Sequence, residues 1–305
     1  MNHENRLKHI IKSSGWSQEQ LAAKLSVTFA TLNSWVNGRS VPRAKALLNI
    51  EKLYHDIIGS EEIDQEWLAK LKQEAFGFKI SPKDIIEDKL TLDKLTLHLT
   101  YHTNTIEGST MTLSDVGDVI FDNKVLSNRT AIEQVEARNH HAALHWLIDI
   151  LSKQGPKFQI TEELICSINL RLMNGIISDA GMYRNYTVRI AGSRSILANW
   201  LKVPELMASL VGDMSSSSGD IITLIASTHA RFEQIHPFSD GNGRTGRLIM
   251  LAQALHAGIV PPLVVKERKS AYYKYLELAQ TKEIYDPLEM FVAESMLFTY
   301  SLLNS

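Results

Sequence analysis

His236-Pro237-Phe238-Ser239-Asp240-Gly241-Asn242-Gly243-Arg244-Thr245-Gly246-Arg247 runs directly into an apolar, helix-like stretch from Leu248 to Leu255. A Gly-Asn-Gly turn that opens a helix makes an anion site, because free backbone N–H groups and the helix dipole both face it. His236, an ionisable base, stands just before that cradle, and Asp240 is placed to hold a divalent metal beside bound phosphates. Arg244 and Arg247 add two guanidiniums, so the array makes sense around a polyphosphate.

Outward from this loop the chain reads as mainly α. Proline and glycine are sparse, and helical periodicity dominates the 305 residues. Residues 5–14, 17–25, 28–37 and 44–57 predict four short helices, with Ser17 and Thr28 as N-caps and Ser17-x-x-Gln20 as a capping box. A connecting helix is expected over 61–74. Longer apolar-periodic stretches then recur at 84–107, 112–122, 130–153, 161–174, 203–214, 219–235, 243–257, 268–280 and 286–303. This predicts a small domain at 1–58, a linker at 59–83 and a larger domain at 84–305. Asn185-Tyr186-Thr187-Val188-Arg189-Ile190-Ala191-Gly192 alternates with β-branched residues and predicts a short β-hairpin, a surface loop being the plain alternative.

Composition is that of a soluble globular chain, with 44% hydrophobic and 22% charged residues. The net charge of −2 is unevenly spread: residues 1–52 hold eight Lys/Arg against three Glu. A basic head on an acidic body suggests a module that meets an anionic partner. Cys166 is the only cysteine and falls in an apolar helix-like segment, which excludes a disulfide framework and favours an inert thiol. The polar N-terminus lacks a signal-like core and no stretch reaches the roughly 18 apolar residues of a span, so a cytoplasmic, membrane-free protein is expected.

Trp16-Ser17-Gln18-Glu19-Gln20-Leu21-Ala22-Ala23-Lys24-Leu25, Ser26-Val27-Thr28 and Phe29-Ala30-Thr31-Leu32-Asn33-Ser34-Trp35-Val36-Asn37-Gly38 together resemble a phage-repressor-type helix-turn-helix. Leu21, Ala22, Leu25, Val27, Leu32 and Trp35 would form its core. The resemblance implies base contacts from Thr28, Phe29, Ala30, Thr31, Asn33 and Ser34, and phosphate contacts from Gln18, Asn37, Arg39 and Arg43. One such module binds DNA weakly, so specific binding implies a homodimer. A helical bundle reused for protein contacts is the alternative.

The His236–Arg247 stretch resembles the signature of Fic-domain proteins, His-Pro-Phe-x-Asp/Glu-Gly-Asn-Gly-Arg-x-x-Arg, at every fixed position. The resemblance extends over roughly 84–300 and implies a helical Fic fold that transfers AMP from ATP, with Mg²⁺, to a Ser, Thr or Tyr hydroxyl of a protein target. His236 would be the general base. Asp240 would bind the metal, Gly241, Asn242 and Gly243 would cradle phosphates, Arg244 would neutralise the departing pyrophosphate and Arg247 would grip the terminal phosphate. Gly243 stands where the phosphate-transferring branch of the family carries Lys, which favours AMP transfer. The hairpin would be the flap that aligns the target by strand addition, through Thr187, Val188 and Ile190. Tyr272, Tyr273 and Gln280 match the family's nucleotide-side segment and would contact adenine or ribose, unless they belong to an amphipathic helix with core tyrosines.

Thr103-Asn104-Thr105-Ile106-Glu107-Gly108 fits the family's inhibitory motif, Ser/Thr-x-x-x-Glu-Gly/Asn, on a helix near 97–108, a helix end stopped by Gly108 being the plain alternative. Glu107 pairing bidentately with Arg247 would occupy the guanidinium needed by the γ-phosphate. Two other readings remain open: a Glu107-dependent deadenylylase, and a DNA-binding regulator whose body only senses nucleotide. His140, His141 and His145 lack the Glu of a zinc motif, and Glu233-x-x-His236 is a single copy of a di-iron motif that needs two.

Overall fold

Capping side chains set most of the helix starts. A computed structural model describes residues 3–58, 63–189, 197–216 and 219–305. The head contains α1 (His3–Ser14), α2 (Gln18–Lys24), α3 (Phe29–Val36) and α4 (Ala44–Ile58). The Ser17 hydroxyl accepts from the Gln20 N–H, with Gln20 reaching back, and Thr28 accepts from the Thr31 N–H. These caps satisfy helix donors that would otherwise have no partner. Leu7, Ile10, Leu21, Ala22, Leu25, Leu32, Trp35, Val36, Ile50 and Tyr54 make the head's core, with Val27 packed against it.

The body follows as α5 (Gln65–Gly77), α6 (Pro82–Glu87), α7 (Lys89–Ile106), α8 (Leu113–Ile120), α9 (Ala131–Gln154), α10 (Glu162–Met173), α11 (Val203–Ser216), α12 (Ile221–Ile235), α13 (Asn242–His256), α14 (Lys269–Lys282) and α15 (Asp286–Leu303). The helix expected over 84–107 is two helices, because Asp88 leaves the helical region and accepts from the Leu90 N–H to start α7 afresh. Part of the expected linker belongs to the body's core: Leu68, Leu71 and Ala75 of α5 are buried with Phe291, Val292 and Met296 of α15. After α5, Lys79 pairs with Ile259 in an isolated antiparallel bridge.

Head and body meet through α4. Asp56 and Glu294 both bind the Arg268 Nη2, each at 2.6 Å, at the start of α14.

α13 is the axis of the body. Every residue from Arg244 to Leu255 is buried, as expected for a helix with apolar neighbours on all sides. Its far half packs into three cores, with Met250 and Ala254 in one, Leu248, Leu251 and Leu255 in another and Ile249 beside Phe232 and Phe238 in a third. Its first two turns carry Arg244 and Arg247, so both guanidiniums are held in the buried interior.

The expected hairpin is not seen among its described residues. Residues 185–189 form no strand, with Thr187 exposed and Val188 half-buried, while Ile190, Ala191 and Gly192 lie outside the described residues. The carbonyls of Tyr186 and Ala198 bind the Arg184 guanidinium instead, which ties the ends of this segment to the body. No helix among the described residues is long and apolar enough to cross a membrane.

Candidate active site

Two helices and a short loop build the site. α12 ends at His236, whose backbone is left-handed at φ 50°, ψ 62° while its N–H still bonds the Phe232 carbonyl. A non-glycine residue rarely adopts this conformation, and here it turns the chain away from α12 toward α13. Gly241 starts α13 at φ 78°, and a side chain there would meet the Met173 Sδ at 2.7 Å, so both the turn and the packing require glycine. No side chain caps α13, which leaves its first N–H groups aimed into the loop.

The loop is held by side chains that close on its backbone. The Asn242 Oδ1 accepts from the Phe238 N–H and its Nδ2 donates to the Phe238 carbonyl, both at 2.9 Å. The side chain of Asn242 is thus committed to loop closure, and only its backbone is left for other contacts. Buried Asn169 on α10 donates to the Asp240 carbonyl at 3.0 Å and accepts from the Gly181 N–H at 2.9 Å. Arg184 lies beneath the loop and donates to the carbonyls of His236, Tyr186, Ala198 and Ile235, while its own N–H bonds the Pro237 carbonyl. Sequence reading gave Asn169 and Arg184 no site role.

The reactive groups converge above this support. The His236 ring is 16% exposed and its Nδ1 lies 3.9 Å from the Glu233 Oε2. Burial, aided by the Arg184 charge, pushes the His236 imidazole down to about 4, so the ring is neutral at pH 7 and able to accept a proton. Burial likewise pushes the Glu233 carboxyl up to about 8. Its Oε1 and the His229 Nδ1 both sit 2.9 Å from where a Gly246 side chain would begin, so position 246 must also be glycine.

Arg247 and Arg244 each carry a partner from another helix. The Arg247 Nη2 donates to the Glu107 Oε1 at 2.5 Å, and its Nε donates to the Thr103 Oγ1 at 2.6 Å. The expected bidentate Glu107–Arg247 pair is therefore a shared one, because Glu107 at Nη2 and Thr103, one turn earlier on α7, at Nε divide the same edge of the guanidinium between them. Burial alone would raise the Glu107 carboxyl, but the Arg247 charge and hydrogen bond hold it below the usual carboxylate range. A side chain at Gly243 would overlap the Glu107 carboxylate, so glycine there also makes room for this contact. Arg244 pairs with Glu136 of α9 at 2.7 Å, a partner that sequence reading did not identify.

Asp240 has a 60% exposed side chain and spends one oxygen on the Gly241 N–H. Its other oxygen suits a divalent ion that takes one carboxylate and fills its shell with phosphate oxygens and water. Among the described residues no cluster of three or more His, Cys, Asp or Glu could hold a metal without such help.

The nucleotide-side residues divide. Tyr272 is fully buried with its hydroxyl 2.5 Å from the His229 Nε2, and Gln280 donates to the Ala230 carbonyl. Tyr273 is 42% exposed beside the site. In the head, Thr28, Phe29 and Arg39 are exposed, Thr31 is half-buried, and the Gln18 Oε1 accepts from the Asn33 Nδ2 at 3.1 Å.

Residues 159–254 match the Fic/DOC family and residues 7–55 match the Helix-turn-helix family. The body thus carries a Fic domain and the head a helix-turn-helix domain. The protein adenylyltransferase Fic of Nematostella vectensis is 26% identical over 264 residues, covering 82% of this chain and 58% of that protein. That of Drosophila ananassae is 29% identical over 196 residues, covering 64% of this chain and 39% of the other. The Fic-domain chain thus spans about half the length of these curated relatives. Among solved structures, C. elegans Fic-1 superposes at a TM-score of 0.65 with 21% identity, covering 94% of this chain and 83% of that one. A Fic-domain signaling protein from Bacteroides thetaiotaomicron superposes at 0.64 with 20% identity, covering 78% and 95%. These likenesses establish the Fic fold for the body.

Proposed function

We propose that this chain is an autoinhibited protein adenylyltransferase that moves AMP from Mg-ATP onto a Ser, Thr or Tyr hydroxyl. The observation that carries the proposal is the seating of Glu107 on Arg247, in the second turn of α13 and across the loop from a neutral His236. The curated relatives named as adenylyltransferases support the reaction class.

In the active arrangement the triphosphate lies across the first turn of α13, where N–H groups and two guanidiniums neutralise its charge. The target hydroxyl oxygen attacks the α-phosphorus, its proton passes to the His236 ring, and the bond to the β-phosphate breaks to release pyrophosphate. Arg244 stabilises the leaving diphosphate and Arg247 holds the terminal phosphate. Asp240 would hold Mg²⁺, which supplies charge neutralisation at the phosphates. Asn242, Asn169 and Arg184 keep the loop from relaxing around the ligand. While Glu107 and Thr103 occupy Arg247, the terminal phosphate has no cation to seat it and the α-phosphorus is not presented to the hydroxyl.

The exposed Thr28, Phe29 and Arg39 support DNA contact by the head, with the chain acting as a homodimer. The test of the catalytic reading is transfer of label from α-³²P-ATP to protein. The wild type should label itself or a lysate protein weakly, and His236→Ala should abolish the labelling. Labelling that survives His236→Ala would refute the assignment of the base.

A further inference from the structure

The two arginines of the nucleotide site are held by carboxylates of different mobility. Glu107 is the C-cap of α7, and the chain leaves the helix at Gly108, so this carboxylate stands where a helix end can unwind. Glu136 stands in the second turn of the 24-residue α9, next to Ala137, which is fully buried. Its Oε1 receives the Arg244 Nη1 at 2.7 Å, with the Arg244 side chain 4% and the Glu136 side chain 18% exposed. The other terminal nitrogen of Arg244 is 3.8 Å from the Asp240 Oδ1, which leaves it pointed at the carboxylate side of the loop. One turn further along α9, buried His140 bonds the Thr100 hydroxyl of α7 at 2.9 Å. The polar face of α9 is thus built into the wall behind both guanidiniums.

From this geometry we infer that Glu136 is a positioning residue for Arg244: it fixes the guanidinium that meets the leaving diphosphate, independently of the Glu107 brake. The inference rests on the adenylyltransferase reading for its substrate. A flexible arginine must lose rotamer freedom when it grips a phosphate, and a partner that has already ordered it removes that loss from binding. Glu136 projects from an interior turn of α9 rather than from a helix end, so it acts as a fixed brace while Glu107 acts as the movable contact.

The experiment uses the full chain in the Glu107→Gly background, with isothermal titration of Mg-ATP, Mg-ADP and AMP alongside the melting temperature. E136Q keeps the side-chain volume and removes the charge that orders Arg244. It should weaken ATP and ADP binding at least fivefold and leave AMP, which has no phosphate at Arg244, within twofold. Adding E136Q to Arg244→Ala should change nothing further, because the two residues act as one unit. Equal losses for all three nucleotides with a falling melting temperature would make Glu136 merely structural and overturn the inference. Unchanged ATP binding in E136Q would also overturn it. A parent that binds ATP but transfers no label would refute the transfer reading and leave the Glu136 result standing. A parent that binds none of the three would overturn both.

Discussion

Thr103→Val gives the sharpest account of how the brake is held. The substitution keeps the shape of a buried, β-branched side chain and deletes only the acceptor that the Arg247 Nε meets at 2.6 Å. A hydrogen bond to a charged group is worth about 1.5–3 kcal/mol, and that much of the closed state's stability is lost when the Arg247 Nε has no partner. The closed-to-open ratio should therefore fall by about 10- to 150-fold, since each 1.4 kcal/mol is a factor of ten. Self-labelling with α-³²P-ATP should rise by that factor, up to the ceiling set by Glu107→Gly. The double variant Thr103→Val/Glu107→Gly should label like Glu107→Gly alone, because the brake is already released. Labelling of Thr103→Val at the wild-type level, with its melting temperature retained, would refute the shared-pair account. A double variant far slower than Glu107→Gly would show that Thr103 serves the active state instead.

Stability offers further tests. Arg268→Ala removes the cation between Asp56 and Glu294 and leaves two facing carboxylates, so a loss of about 3–5 kcal/mol is expected in denaturant unfolding. His236 is held down to about 4, and His140 and His229 to about 3, by burial, so the folded state keeps them neutral. Their contribution is complete above the unfolded value near 6.5 and is lost as pH falls, at up to about 1.4 kcal/mol per pH unit for each ring. Urea midpoints measured from pH 7 to 5 should decline accordingly, and a flat profile would contradict neutral burial. Glu233 has the opposite sign, because a carboxyl raised to about 8 favours folding below its unfolded value near 4.5 and opposes it as pH rises toward 8. Glu233→Gln should therefore raise stability at pH 8 and leave it nearly unchanged at pH 4.

The helices were legible because their starts carry local signals. Ser17, Thr28, Thr112 and Thr130 each cap the helix that follows. The loop of the candidate site was legible for a similar reason, since its glycines, histidine and guanidiniums lie within twelve residues of one another. Asp88 misled the reading because a cap inside an apolar-periodic run looks like a polar face position. What holds the loop was hidden by distance along the chain. Asn169, Arg184 and Glu136 reach it from α10, from the segment after α10 and from α9, and no local pattern marks a side chain whose partner is 50 or more residues away. Thr103 carried a signal, the first position of the inhibitory motif, but its partner on Arg247 emerges only when α7 packs on α13.

The central claim is that the site is kept off by Glu107 on Arg247 and otherwise competent to transfer AMP. Mass spectrometry of the full chain after incubation with Mg-ATP and lysate tests it most directly, comparing the wild type, Glu107→Gly and Glu107→Gly/His236→Ala. AMP adducts should be scarce for the wild type, abundant for Glu107→Gly and absent for the double variant. Equal adduct levels in the wild type and Glu107→Gly would contradict the brake, and no adduct in Glu107→Gly would contradict the transfer itself.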